Sequence, residues 1–398
     1  MQSIQNNLKV IAFLFAFYFI IFVPFPFHLF PYQPVITGFI FNKAIALTAG
    51  FFKIDFQSLE ISSDSTSMFV LALILLKLSM LTAILLAYFK PAIRHRNKAF
   101  AFLSVIFNYF LALQLLKYGF DKVFKGQFYL PEPNILFTPL GQIDRDLLFW
   151  STMGTSYAYN LFMGLLEVAA GAFILFRKTR NLGLIMALGI FINILAINLG
   201  FDISVKLYTA FLLFLTFLLL SPQLIPIFKF LVLQQPVRLK PLALPALKPW
   251  IKLILLSLFI VEATYPYAVK MNFNDDLYPR PYLHGVYEVQ EIVSEADRMQ
   301  SKVLPFKRFF IHRNGYLIFQ GHDGQMQDYK LFINQAAGEF QLTDYSQNQV
   351  NYKYLHHPND SILELQIFKN KQWYQLRAKA LDWKAMPALQ NEFNWTVD

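Results

Sequence analysis

Long uninterrupted apolar runs alternate with short charged stretches through most of this chain, and the pattern then changes to short runs of alternating apolar and polar residues. Crossing a bilayer takes about 20 apolar residues. Runs that meet this need fall near residues 9 to 27, 68 to 89, 99 to 120, 149 to 176, 181 to 199, 204 to 220 and 250 to 266, and they predict seven transmembrane helices. Lys9 ahead of the first run would suit a secretory signal. However, Val23-Pro24-Phe25-Pro26-Phe27 follows it in place of a small-residue cleavage site, so the run reads as an uncleaved anchor. Residues 35 to 52 are apolar but interrupted by Asn42, Lys43 and Gly50, which predicts an interfacial or re-entrant helix. Residues 121 to 148 read as a linker outside the membrane, and Gln234 through Pro236, Pro241, Pro245 and Pro249 as a proline-punctuated connector to the last span.

After Glu262 the period shortens toward two. Stretches 285–290, 308–312, 316–320, 329–333, 362–367 and 373–377 alternate or nearly alternate, as half-buried strands do. Asn314-Gly315, Asp323-Gly324, Pro358-Asn359-Asp360 and Asn370-Lys371 separate them, and these residue types tolerate the positive φ of tight turns. The expected fold is an α-helical polytopic membrane protein with about seven transmembrane helices plus a C-terminal, mostly antiparallel β domain, a small barrel or sandwich. The expected organisation is residues 1–98, an N-terminal hairpin with its interfacial segment; 99–221, a four-helix bundle; 222–267, a Pro-rich cytoplasmic linker and the seventh helix; and 268–398, the β domain.

Charge sets the orientation. Charged residues make up 15% of the chain, well under the roughly 25% of soluble domains, and the mean hydropathy is +0.40. Lys90, Arg94, Arg96 and Lys98, then Arg177, Lys178 and Arg180, then Lys229, Arg238, Lys240 and Lys248 collect in one set of loops. Asp55, Glu60, Asp64, Asp121, Glu132, Asp144, Asp146 and Asp202 fall in the alternate set. Basic loops stay in the cytoplasm, which predicts an N-in, C-out protein of the bacterial cytoplasmic (inner) membrane. The formal net charge is +10, yet residues 268–398 carry 14 Lys plus Arg against 15 Asp plus Glu. The positive charge therefore flanks spans, and membrane lipids rather than nucleic acid are the expected partners.

With no cysteine, disulfide scaffolds, iron–sulfur clusters and thiolate nucleophiles are excluded. His284, His312, His322, His356 and His357 lie in the β region, but none forms a His-x-His pair or a His-Glu pair at helical spacing, so no metal site is expected. Trp373, Tyr374, Trp383 and Trp395 would either line a ligand-holding barrel mouth or simply fill its core, and small barrels are usually filled by their own side chains.

Polar groups at bilayer depth are costly and mark the places where function is sought. They are Lys77, Gln114, Lys117, Asp121, Lys122, Tyr157, Asn160, Glu167, Asn193, Asn198, Asp202 and Lys206. Tyr157, Asn160, Gly164, Glu167 and Gly171 share one helical face, whose small residues let a neighbouring backbone approach. Glu167 lies about 15 Å and Lys77 about 20 Å from the cytoplasmic ends of their helices at 1.5 Å per residue, so a Lys77–Glu167 pair is within reach. An unpaired Glu167 would be neutral at pH 7, because desolvation penalises its charge. Gln114, Lys117 and Asp121 share a face, Asp202 and Lys206 stand four apart, and Asp202 is placed to cap its helix. These residues either snorkel to the interface or line an outward-facing cavity between the third and sixth spans with Glu167 as its floor.

The stretch Leu115-Leu-Lys-Tyr-Gly-Phe-Asp-Lys-Val-Phe124, then Gly164-Leu-Leu-Glu-Val-Ala-Ala-Gly171, Arg177-Lys-Thr-Arg-Asn-Leu-Gly183 and Asp202-Ile-Ser-Val-Lys206 resembles the DoxX-like family of four-helix membrane proteins over about 99–220. The resemblance aligns Lys122 with the lysine after that family's first helix and Glu167 with the glutamate of its Gly-x-x-Glu second helix. The C-terminal strands resemble a barrel-type extension carried by some bacterial members. What the resemblance implies is a module that binds a quinone, a lipid or another hydrophobic ligand, or an accessory subunit working with redox or assembly partner proteins. A subunit of a quinone-linked oxidoreductase, with Glu167 and Lys122 or Lys206 handling protons, and a transporter are the alternatives. The extra N-terminal spans, the seventh span and the outer domain depart from a minimal member.

Overall fold

The computed structural model describes residues 2–25, 27–54, 60–88, 90–237, 248–294, 306–369, 372–390 and 395–396. The chain forms two compact units, one of residues Met1–Gln127 and Ala158–Phe273, the other of Phe128–Tyr157 and Asn274–Asp398. The helices are α1 Gln2–Phe22, α2 Gln33–Phe52, α3 Thr66–Tyr88, α4 Lys90–Val123, α5 Pro133–Leu136, α6 Arg145–Thr155, α7 Tyr157–Leu175, α8 Arg180–Gly200, α9 Lys206–Leu231 and α10 Pro249–Lys270. The strands are β1 Gly285–Ser294, β2 Arg308–His312, β3 Tyr316–Gln320, β4 Met326–Asn334, β5 Glu339–Thr343, β6 Gln349–His357, β7 Ile362–Lys369 and β8 Gln372–Leu381.

Helix ends in the first unit follow local chemistry. Pro34 and Pro249 sit at the first turns of α2 and α10, where a missing N–H costs nothing. Lys53 closes α2 in the left-handed region at φ 53°, its N–H reaching back to the Gly50 carbonyl and that of Ile54 to the Ala49 carbonyl. The Ser65 hydroxyl accepts from the Met68 amide to start α3. The amides that open α9 are capped from far away in sequence, by Asp64, whose carboxylate accepts from Lys206 N–H at 2.7 Å and Leu207 N–H at 3.0 Å. Asp202 was expected in that role. It stands instead in the left-handed region at φ 54°, and its carboxylate pairs with the Lys206 ammonium at 2.7 Å.

Among the described residues seven helices are long and apolar enough to cross a membrane: α2, α3, α4 from Ile93, α7, α8, α9 and α10. The number agrees with the sequence reading, but the members differ. The interrupted segment 35–52 lies within a continuous 20-residue helix, Gln33–Phe52, and joins the set, while the described part of α1, Asn7–Phe22, is shorter. Asn42 and Lys43 do not break α2, since a single polar side chain leaves the backbone hydrogen bonds of a helix intact. The expected span at 149–176 is two helices, because Ser156 takes extended dihedrals (φ −110°, ψ 100°) between α6 and α7. The basic loop around residues 90–98 is the first turns of α4. Residues 238–247 of the proline-punctuated connector lie outside the described residues.

In the second unit the eight strands of the described residues pair with their sequence neighbours, and β1 pairs with β8, closing an antiparallel up-and-down barrel. The sequence left barrel and sandwich open; closure decides for the barrel and leaves no free sheet edge. Alternation sorts the side chains. Tyr287, Phe309, Ile311, Leu317, Phe340, Leu342, Leu363, Leu365 and Leu376 pack one core. Val286, Phe310 and Ile318, facing the other way on β1 to β3, pack with Trp383 against Leu130, Leu136 and Phe137. The supposed linker is thus a folded part of the β unit, because the apolar outer face of these strands requires a cover. Trp383 belongs to that second cluster and Trp395 is 91% exposed, so neither lines the barrel interior; the side chains of Trp373 and Tyr374 lie outside the described residues.

A candidate site of buried charges between α4, α7 and α10

The site begins with a close helix crossing. An added methyl at Gly119 of α4 would lie 2.8 Å from the carbonyl oxygen of Gly164 on α7, and one at Gly164 would lie 2.6 Å from that of Gly119. Only glycine permits this approach. One turn further along each helix, the Lys122 ammonium donates to Glu167 Oε2 at 2.9 Å, with both side chains buried. The Lys77–Glu167 pair that depth allowed does not form. Lys77 instead places its ammonium 5.2 Å from the ring centre of Phe52 at the end of α2. Depth along a helix allowed either lysine, and azimuth chose Lys122.

The neighbouring face of α4 turns to α10. Lys117 donates to Glu262 Oε1 at 2.5 Å, and its ammonium lies over the rings of Phe25 at 5.0 Å and Phe27 at 5.6 Å. Glu262 also accepts from the amides of His28 at 2.9 Å and Leu29 at 2.8 Å. The Tyr267 hydroxyl donates to Asp121. His28 is half-buried, and burial lowers its imidazole pKa below the ordinary value; Lys117 adds to the shift, while Glu262 and Asp121 oppose it. Asp121, Lys117, Lys122, Glu167 and Glu262 therefore form one electrostatically connected group.

Several of its neighbours keep unused hydrogen-bonding capacity. Gln114 is fully buried one turn before Lys117, and neither atom of its amide has a hydrogen-bond partner among the described residues. The same holds for Glu167 Oε1 and the hydroxyl of buried Tyr208. An unmet buried polar group costs about 1–3 kcal/mol.

The remaining candidates fall elsewhere. Asn160 is buried on the Glu167 face of α7, while Tyr157 at the start of α7 is partly exposed and Asn193 faces outward from α8. Asn198 donates to Thr209 Oγ1 at 3.0 Å. Asp202 and Lys206 pair with each other at the surface. These contacts bring α10 into the group through Glu262 and Tyr267 and leave Asp202 and Lys206 paired with each other. Sequence reasoning missed Glu262, Tyr267 and His28. The available signal was a lone glutamate in an apolar run, which the change of composition after it disguised as a boundary.

The barrel unit holds a second polar cluster. Glu132 is buried and meets His284 Nε2 at 2.8 Å, with His312 Nε2 at 3.9 Å and the Arg313 guanidinium at 3.8 Å. Arg313 also pairs with Asp275 at 2.6 Å and lies over the Tyr129 ring at 3.9 Å. Burial pushes the Glu132 carboxyl up, but the His284 hydrogen bond and the charges of His284, His312 and Arg313 outweigh it and hold the group below its ordinary value. His312 is lowered by burial, with Glu132 opposing. Among the described residues no three His, Asp or Glu side chains are grouped to hold a metal ion.

No family model and no solved structure matches this chain. A 114-residue stretch is 33% identical to uncharacterized protein YwoB of Bacillus subtilis (strain 168), covering 29% of this chain and 72% of that protein. On that identity and coverage, the chain belongs to the family of YwoB.

Proposed function

We propose that this chain is a DoxX-like integral protein of the bacterial inner membrane whose helical bundle binds a hydrophobic ligand with a polar head, a quinone or a lipid, at the charges between α4, α7 and α10. The observation that carries the reading is unmet capacity among buried charges: among the described residues Glu167 Oε1 lacks a partner although Lys122 holds Oε2, the Gln114 amide lacks one a turn before Lys117, and the Tyr208 hydroxyl lacks one on a ring stacked 4.8 Å from that of Phe25, which lies under the Lys117 ammonium. These groups fit the carbonyl and hydroxyl oxygens of a quinone or a headgroup, with Gln114 and Tyr208 donating and Glu167 accepting. A bound quinone would supply two-electron, two-proton redox chemistry. The chain's own residues would orient it and hold protons near its oxygens.

The membrane assignment is supported by the exposed faces of the helices. Fewer than a third of the residues in the most apolar window of α3 are buried, and Phe39 and Phe51 of α2 are 92% and 81% exposed. Water does not favour such surfaces. The N-in, C-out orientation has two supports. Basic residues gather at the starts of α4 and α8 and the end of α9. Residues Phe128–Tyr157, between α4 and α7, fold with the barrel that follows α10, so both segments must leave the membrane on one face. The same orientation needs α2 to enter and return. Its start is held at the end of α1 by Gln33, which donates to the carbonyls of Ile21 and Val23, and its last residue lies beside Lys77, half-way along α3.

The test compares small molecules co-purified with detergent-extracted wild type and Glu167→Gln by mass spectrometry and absorbance. A stoichiometric quinone or lipid lost in the mutant is the expected result. Bulk lipid alone in both, with the mutant still folded, would move the search to the barrel.

A further inference from the structure

Positive charge gathers without a counter-charge where α7 turns into α8. α7 ends at Leu175, and Phe176-Arg177-Lys178-Thr179 lead into α8. Between Glu167 and Glu262 the sequence holds one acidic residue, Asp202, which stands beyond the far end of α8. Among the described residues Arg177, Lys178, Arg180 and Lys252 have no carboxylate partner. Exposed lysines and arginines need none, but Arg180, the first residue of α8, is only 8% exposed. Its Nε donates to the Ile174 carbonyl at 3.0 Å and so caps the end of α7. The two terminal nitrogens of the fork have no acceptor among the described residues, and a buried donor left unmet is costly.

The neighbouring groups are arranged for an anion as well. Arg177 is close enough for its charge to act on Arg180. Thr179, the residue before α8, does not cap it, because its hydroxyl donates backward to the Phe173 and Phe176 carbonyls. The first turn of α8 holds no acidic residue. α10 starts the same way: Lys248 makes no side-chain cap, its first turn holds no acid, and Lys252 sets its ammonium 4.4 Å from the ring centre of Phe176. Cations at a helix start oppose the dipole, and an anion placed there relieves both the charges and the free amides. Tyr109 of α4 is half-buried and lies within the field of Arg180, and its hydroxyl has no hydrogen-bond partner among the described residues.

The apolar surroundings choose between a free anion and a lipid. Phe176, Leu182, Trp250 and Leu253, at the end of α7 and in the first turns of α8 and α10, are each half exposed or more. Such side chains offer a bed for acyl chains that a phosphate ion would not use.

We propose that the α7–α8 turn and the start of α10 form a binding site for the headgroup phosphate of an anionic phospholipid. The Arg180 fork and Arg177 hold the phosphate, the Tyr109 hydroxyl donates to it, and Lys252 adds positive charge at the rim. A planar guanidinium matches phosphate oxygens in pairs, which a lysine does not. The proposed orientation puts this end in the cytoplasmic leaflet, where anionic lipid collects basic segments. The site rests on the membrane reading but not on any ligand at Glu167, which lies about 12 Å short of the end of α7 at 1.5 Å per residue.

The experiment is native mass spectrometry of the full chain in detergent, titrated with phosphatidylglycerol or with phosphatidylcholine. Wild type should retain one phosphatidylglycerol about tenfold more tightly than phosphatidylcholine, and Arg180→Gln should erase that preference. Should Arg180→Gln fail to fold for want of the cap on α7, Arg177→Gln carries the test, since the exposed Arg177 side chain makes no hydrogen bond among the described residues. Lys43→Gln removes the same charge from an exposed position on α2 and should change nothing. Glu167→Gln should keep the phosphatidylglycerol, which separates this site from the ligand proposed at Glu167. Equal retention of the two lipids, equal losses in Arg177→Gln and Lys43→Gln, loss in Glu167→Gln alone, or displacement of the lipid by inorganic phosphate would each overturn the proposal.

Discussion

The two units of this chain are built with opposite polarity. In the helical unit Glu167 and Gln114 are fully buried, while Phe39, Phe51 and Leu47 of α2 are exposed. In the barrel unit Phe309, Phe340 and Leu363 are fully buried, while Lys353, Gln349 and Lys330 face outward. The difference teaches that the surroundings, not the residues, decide which side of an element is inside. A barrel in water buries apolar area, worth about 25 cal/mol per Å². A bundle in lipid gains nothing by hiding leucine and hides its charges instead.

That contrast can be broken from either side. The largest loss is expected from Glu262→Ala, which leaves the Lys117 ammonium buried without its carboxylate; removing one partner of a buried pair costs about 3–5 kcal/mol. A thermal melt of the detergent-solubilised chain checks it, and an unchanged melt would mean that Lys117 reaches water. Phe340→Ala should cost a similar or slightly smaller amount, about 3–5 kcal/mol for a fully buried aromatic. Its damage should fall on the other unit, with limited proteolysis cutting within 274–398 before the helices.

Acid should separate the units as well. His312 is held below its ordinary value of 6.5, so the unfolded chain binds its proton first and the barrel loses stability as pH falls below that value. Glu132 is held below its ordinary 4.5, so its contribution is present above that value and is lost as pH falls further, through the folded-state value. Both slopes have the same sign. Tryptophan fluorescence of Trp383, packed beside His284, should report the loss, and His312→Gln should remove its upper part. The smallest effect is expected at the surface: Asp202→Ala breaks the pair with Lys206, but Asp202 is 82% exposed, so a melt should move by the equivalent of about 1 kcal/mol or less.

The period of the hydrophobic pattern carried most of the architecture. Apolar runs near bilayer length located the helices, and alternation with Asn-Gly and Asp-Gly turns located most of the strands. Both follow from nearest-neighbour geometry, the 3.6-residue turn and the two-residue pleat. Gly164 and Gly171 marked the face of α7 that a neighbour approaches, and the structure brings Gly119 there.

Tertiary structure alone decided what depends on azimuth and closure. Depth estimates placed Lys77 within reach of Glu167, but which lysine meets it is set by the rotation of α4 against α7, a matter of packing. Glu262 and His28 join Lys117 from 145 and 89 residues away, and no local pattern encodes that. Residues Phe128–Tyr157 looked like a linker because their apolar side chains, Leu130, Leu136 and Phe137, are too few and too irregular to show a period. They became structure only when β1 to β3 presented Val286, Phe310 and Ile318 to be covered. By itself the sequence determined the elements and the polarity of each unit, since these rest on local periodicity and on which surroundings apolar surface tolerates. The tertiary structure decided which charges meet, because an ion pair needs two side chains at one point in space and the sequence records only their distance along the chain.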